Sequence, residues 1–192
     1  MPNTLKGKTV AILATDGFEQ SELIKPKQAL EEAGARTQVV SPAEKKIKGW
    51  NHKNWGEEVS VDVPLKSANA SKYDALLLPG GVMNPDRLRM DPDAVAFVKS
   101  FFDERKPVAA ICHGPWMLVE AGAVHGRTVT SWPSLKTDIR NAGGTWVDEE
   151  VTVGNGVVTS RKPDDIPAFN RAMIELFAKG AAASEESERK AA

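Results

Sequence analysis

The chain has 192 residues, 41% hydrophobic and 27% charged, with a net charge of −1, which suits one ordinary globular domain. Near-neutrality gives no electrostatic surface for nucleic acid or anionic lipid, and no apolar run approaches the roughly 20 residues of a membrane span. The single cysteine excludes an internal disulfide and a CxxC-type metal cluster. The start "MPNTLKGKTVAIL" lacks the apolar segment of a signal peptide, so a cytoplasmic location is expected.

The elements follow in order. "KTVAILAT" (8–15) is an apolar, partly β-branched strand that runs into Asp16-Gly17. "SELIKPKQALEEAGA" (21–35) has helical spacing through Leu23, Ile24, Leu30 and Ala33, with Pro26 expected near the first turn and Gly34 at the C-cap. "RTQVVSP" (36–42) is the next strand, and the irregular stretch 43–65 reads as a loop followed by a β segment at an edge. "YDALLLPGG" (73–81) is a strand stopped by Pro79-Gly80-Gly81, and a helix follows over about 93–105. "PVAAIC" (107–112) is a strand that turns into the helix "GPWMLVEAGA" (114–123). "RTVTSW" (127–132) is a strand, and "LKTDIRNAGG" (135–144) a short helix. "VTVGNGVVTS" (151–160) carries a hairpin signal at its glycine-flanked asparagine. A last helix covers about 165–179 within a single domain over 1–180, and the polar tail 181–192 reads as frayed.

Alternating strands and helices predict an α/β fold, a mainly parallel sheet with helices on both faces in three layers, and the continuous apolar strands suit burial on both sides. Ligands of such sheets bind beyond the carboxyl ends of the strands. Three features fall there: Asp16 to Glu19, Gly80-Gly81 and Cys112-His113.

Composition alone makes Cys112 a buried structural cysteine. Its position, between strand and helix with Ala109, Ala110 and Gly114 around it, makes it the apex of a nucleophile elbow of the form A-x-C-x-G. Helix N-terminal amides there favour thiolate, so a lowered thiol pKa is expected. The amide of His113 is then an oxyanion donor, and its ring a conditional partner. Glu19 reads either as an acid that suits a helix N-terminus or as a carboxyl that exchanges a proton at the sulfur. Gly80 and Gly81 form a turn or bring amides to an oxyanion. No role falls to His52 or His125, and no cofactor or metal signature is present.

"DGFEQSEL", "YDALLLPGG" and "KPVAAICHGPWMLVEAGAVHGRTVTSW" resemble the ThiJ/PfpI superfamily, and most closely its intracellular protease I and general stress protein branch, over nearly the whole chain. The resemblance implies a flavodoxin-like sandwich with Cys112 as the nucleophile and Glu19 hydrogen-bonded to it. It also implies backbone amides from Gly81 and His113. In the protease I branch the histidine is completed by an acid from a neighbouring subunit. Asp86 fills that position here, one methylene shorter than the usual glutamate, and a homodimer or higher homo-oligomer is implied. Trp132 stands where a tyrosine is frequent.

The first function expected is therefore a cysteine-dependent, stress-protective hydrolase or lyase. Its substrates would be reactive carbonyls such as methylglyoxal, or early glycation adducts on protein, in the manner of a deglycase or cofactor-independent glyoxalase. The alternatives are an intracellular cysteine peptidase using Cys112, His113 and Asp86, and a redox sensor or chaperone for unfolded protein. A glutamine amidotransferase would need a histidine well downstream of the nucleophile, and His125 lies too early.

Overall fold

The computed structural model describes residues 3–181. The chain opens with β1 (Thr9–Leu13), β2 (Phe18–Glu19), α1 (Gln20–Glu32), β3 (Arg36–Ser41), β4 (Lys46–Asn51), β5 (Asn54–Ser60) and β6 (Val63–Pro64). It continues through β7 (Ala75–Leu78), α2 (Met83–Leu88), α3 (Pro92–Asp103), β8 (Val108–Ile111), α4 (Pro115–Glu120) and β9 (Thr128–Val129). It closes with α5 (Lys136–Asn141), β10 (Thr145–Trp146), β11 (Val151–Gly154), β12 (Val157–Ser160) and α6 (Ile166–Lys179).

The central sheet has seven strands in the order β11-β12-β8-β7-β1-β3-β6, parallel except for β11. Numbered among themselves, β1, β3, β7, β8 and β12 lie in the order 2-1-3-4-5, which is the flavodoxin-like winding. The strand order reverses between β1 and β7, and this fixes where a ligand crevice can open.

Strand alternation divides the interior into two cores. Val10, Ile12, Val39, Leu77 and Ile111 face α1 and α6, where Leu23, Leu30, Phe169, Met173 and Phe177 meet them. Ala11, Leu13, Leu76, Leu78 and Val108 face α3 and α4, where Phe97, Val98, Phe101, Met117 and Leu118 meet them. All of these side chains are buried, and each of them larger than alanine contributes roughly 1.5–3 kcal/mol of transfer free energy. Among the described residues no helix is long and apolar enough to cross a membrane.

Four local expectations are corrected. Pro26 lies inside α1 rather than in its first turn, because the helix starts at Gln20; its missing N–H leaves the carbonyl of Glu22 without the usual helical donor. The irregular stretch 43–65 ends in the expected edge strand, β6, but before it forms a hairpin, β4–β5, that joins β2 in a separate three-stranded sheet. Its turn residue His52 has φ 54°, without the Asn-Gly signature that would have announced it. The strand expected at 127–132 shortens to β9, which pairs with β10 outside the central sheet. Helix α2, unanticipated, fills the segment after Gly81. By contrast, Asn155 (φ 49°) and Gly156 (φ 75°) make the two-residue turn read from the sequence between β11 and β12. The frayed tail expected from residue 181 falls, from 182 onward, outside the described residues.

Candidate active site

The loops after β8 and β7 and helix α1, which follows β1, converge on one sulfur. Cys112 follows directly after β8 with φ 61°, a left-handed conformation that costs a residue bearing a Cβ about 1–2 kcal/mol. Its surroundings hold it there. Its N–H donates to Ser160 O at 3.0 Å, and its carbonyl accepts from Trp132 N–H at 2.9 Å. Gly114 N–H closes the turn onto Ile111 O at 2.8 Å. A Cβ on Gly114 would lie 2.5 Å from Leu78 O, so only glycine lets the turn rest on β7.

The carboxyl group that meets the sulfur is Glu22, not Glu19. Glu22 is fully buried, interacts with the Cys112 side chain, and accepts at Oε2 from Gly80 N–H at 3.0 Å. Its Oε1 has no hydrogen-bond partner among the described residues. Glu19 ends β2, is half-buried, and accepts from Ser21 Oγ at 3.3 Å. Helical phase separates the two acids. Glu22, Pro26 and Leu30 share the inward face of α1 at four-residue spacing, whereas Glu19 precedes the helix.

Burial pushes Glu22 up to about 8, helped by the nearby charge of Glu19, so the carboxyl is protonated at neutral pH. The expected lowered thiol pKa is also corrected. Cys112 is only 7% exposed. Burial and then the charge of an ionised Glu22 raise the thiol, against the lowering by the amides of Gly81 and His113. The two acids are coupled, and both cannot be ionised near neutrality.

Gly80 N–H donates to Glu22, Gly81 N–H faces both the Glu22 carboxyl and the sulfur, and His113 N–H faces the sulfur. A Cβ on Gly80 would lie 2.4 Å from Glu22 Oε2 and 2.6 Å from Cys112 Cβ. The third side therefore has to be glycine for the acid and the thiol to approach one another.

The His113 ring turns back alongside Cys112, with Nδ1 3.2 Å from Sγ and Nε2 3.3 Å from Ser134 Oγ. It lies against Trp116 at 5.1 Å and stacks on Trp132 at 6.1 Å between centroids. Burial lowers its pKa to about 4, so the ring is neutral at pH 7. Ser134 was not anticipated, since nothing in the sequence distinguishes this serine from its neighbours. Asp86 is exposed on α2, and the hydrogen bonds of the His113 ring go to Cys112 and Ser134. Among the described residues no three His, Cys, Asp or Glu side chains are grouped to hold a metal ion.

The model of the DJ-1/PfpI family matches residues 8–176. General stress protein 18 of Bacillus subtilis (strain 168) is 46% identical over 175 residues, spanning 90% of this chain and 99% of that protein. YraA of the same organism, named as a candidate cysteine protease, is 42% identical over 88% of this chain and 98% of its own length. A deglycase of Pyrococcus abyssi (strain GE5 / Orsay) is 44% identical over 88% of this chain and 98% of its own length. Among solved structures, a two-domain protein of Anabaena variabilis with DJ-1/ThiJ/PfpI-like and ferritin-like domains superposes with a TM-score of 0.82 at 36% identity. That match covers 88% of this chain and 49% of the larger protein. Family match, relatives and the convergence of two strand ends and helix α1 on one cysteine lead to the same conclusion: this chain belongs to the DJ-1/PfpI family.

Proposed function

We propose that the protein is a stress-protective, thiol-dependent enzyme acting on reactive carbonyls, with Cys112 as nucleophile and Glu22 as its proton partner. One observation carries the reading. The sulfur, a protonated carboxyl and two backbone amides form a complete unit within a single chain. The relative named a deglycase supports it.

The chemistry is worked for methylglyoxal. The thiol proton passes to Nδ1 of the neutral His113 ring, the sulfur bonds to the aldehyde carbon, the carbonyl π pair moves to oxygen, and that oxygen takes the proton of Glu22, giving a hemithioacetal. The amides of Gly81 and His113 are the donors available to the developing oxyanion. Ionised Glu22 then removes the hydrogen on the former aldehyde carbon as a proton, and the electron pair forms an enediolate. Returning that proton to the adjacent carbon, with the hydroxyl proton of the first carbon passing to the second oxygen, gives a lactoyl thioester on Cys112. Water adds to the acyl carbon and gives a proton to Glu22, the carbon–sulfur bond breaks, the sulfur recovers its proton from His113, and a hydroxy acid leaves. Oxidation at one carbon balances reduction at the next, so no external oxidant is required. An early adduct on a protein amine presents the same carbon to the sulfur.

Peptidase chemistry is the second reading, favoured by the exposure of Asp86 and by the relative YraA. It needs Asp86 of a second copy to reach His113. Methylglyoxal consumption and peptide hydrolysis, measured on wild type, Cys112→Ala and Asp86→Ala, separate the two. Carbonyl turnover abolished by Cys112→Ala and retained by Asp86→Ala is the expected result. Equal carbonyl turnover by wild type and Cys112→Ala would overturn the proposal.

A further inference from the structure

The side chain of Asn84, near the start of α2, is 1% exposed and spends all three of its hydrogen bonds on backbone. Its Oδ1 accepts from Thr15 N–H at 2.8 Å. Its Nδ2 donates to Pro79 O at 3.0 Å and to Gly80 O at 3.2 Å. This amide therefore ties the loop after β1 to the loop after β7. The pattern admits one orientation, because an N–H meets one end and two carbonyls meet the other.

The carbonyl of Gly80 and the N–H of Gly81 belong to the same peptide unit. In a planar trans peptide they point in opposite directions. Gly80 O is held from one side by Asn84 Nδ2 and by Glu19 N–H, each at 3.2 Å. Fixing that oxygen fixes the direction of the Gly81 N–H, the donor that meets the Cys112 sulfur. Gly81 itself has φ 80°, and a Cβ there would lie 2.5 Å from Gly17 O. Glycine permits this conformation but does not enforce it, because it also populates many others. The enforcement has to come from partners of the peptide, and Asn84 is the side chain that supplies one.

We propose that Asn84 is a positioning residue for the thiol: by anchoring the Gly80–Gly81 peptide it aims the Gly81 amide at Cys112 and so favours the charged sulfur. The inference rests on Cys112 being the reacting group, but not on the identity of the substrate. Aspartate could not do the same work while ionised, since it has no proton to give Gly80 O.

The test is the pH dependence of Cys112 alkylation by iodoacetamide, read by intact mass, on the full chain. Asn84→Ala is expected to raise the alkylation midpoint by about one pH unit and to slow alkylation at pH 7 roughly tenfold. Asn84→Ser leaves a smaller void and a hydroxyl for Thr15 N–H, and gives the same reading if the alanine variant does not fold. Val98→Ala, on the buried face of α3, controls for lost stability: it lowers the Tm and leaves the midpoint in place. A wild-type midpoint in both Asn84 variants would overturn the proposal, as would an equal shift in Val98→Ala. Methylglyoxal turnover by the wild type is measured alongside. If wild type fails to turn over while the Asn84 shift holds, the carbonyl reading falls and the positioning role stands.

Discussion

Replacing Glu22 by glutamine tests the electrostatics of the site through stability rather than activity. In the fold Glu22 ionises at about 8, against 4.5 for an ordinary glutamate. The folded state thus keeps a proton that the unfolded chain releases above pH 4.5. Because the folded pKa is the higher one, Glu22 costs no stability below 4.5 and progressively more as pH rises to about 8. The penalty grows by about 1.4 kcal/mol per pH unit and reaches about 3 kcal/mol at pH 7. Glutamine keeps the size of the side chain and an acceptor for Gly80 N–H, but cannot ionise. Urea unfolding followed by tryptophan fluorescence should therefore show Glu22→Gln gaining on wild type by about 3 kcal/mol between pH 4.5 and pH 7. Comparing the two proteins at each pH cancels every other titrating group. A difference that stays flat from pH 4.5 to 8 would refute the reasoning, because Glu22 would then be ionised in the fold as it is in the unfolded chain.

Other expected outcomes follow from the same geometry. Gly80→Ala drives a methyl group into Glu22 Oε2 and Cys112 Cβ, and should destabilise the protein by about 3 kcal/mol in urea and slow Cys112 alkylation. His113 ionises at about 4 in the fold against 6.5 ordinarily. Its contribution to stability is present above 6.5 and lost as pH falls towards 4. Thermal melts should show the Tm of wild type dropping more steeply over that interval than the Tm of His113→Gln. Phe169→Ala empties a wholly buried site between α6 and the sheet, and should cost roughly 3–5 kcal/mol of unfolding free energy with the pH dependence of alkylation unchanged.

The layers of this fold were legible because its parallel strands are short, apolar and separated by helices of ordinary length. β1, β7 and β8 each announce themselves by an apolar run that ends in turn residues, and it is these three that build the site. The hairpin β4–β5 was not legible. Its strands are mostly exposed and its turn uses His52 rather than glycine. Helix α2 was hidden by its brevity, since six residues give too few turns for periodicity to register.

At the site itself, Cys112, His113 and Gly81 were readable from position. Position in the loop at the sheet edge points to Glu19, whereas the helical face of α1 brings Glu22 to the sulfur. The spacing of Glu22 to Pro26 and Leu30 marks it as inward-facing. Two other features depend on distance in space and leave no trace in local sequence. One is the excess of burial over amide donation at the thiol. The other is the link from Asn84 to Thr15 across 69 residues.

The central claim, that the Cys112 sulfur bonds to a carbonyl carbon during turnover, is tested most directly by rapid-quench mass spectrometry of the Cys112 peptide during methylglyoxal consumption. A transient gain of one methylglyoxal mass on Cys112, with turnover abolished in Cys112→Ala, is the predicted result. A sulfur that remains unmodified while methylglyoxal is consumed at the full rate would contradict it.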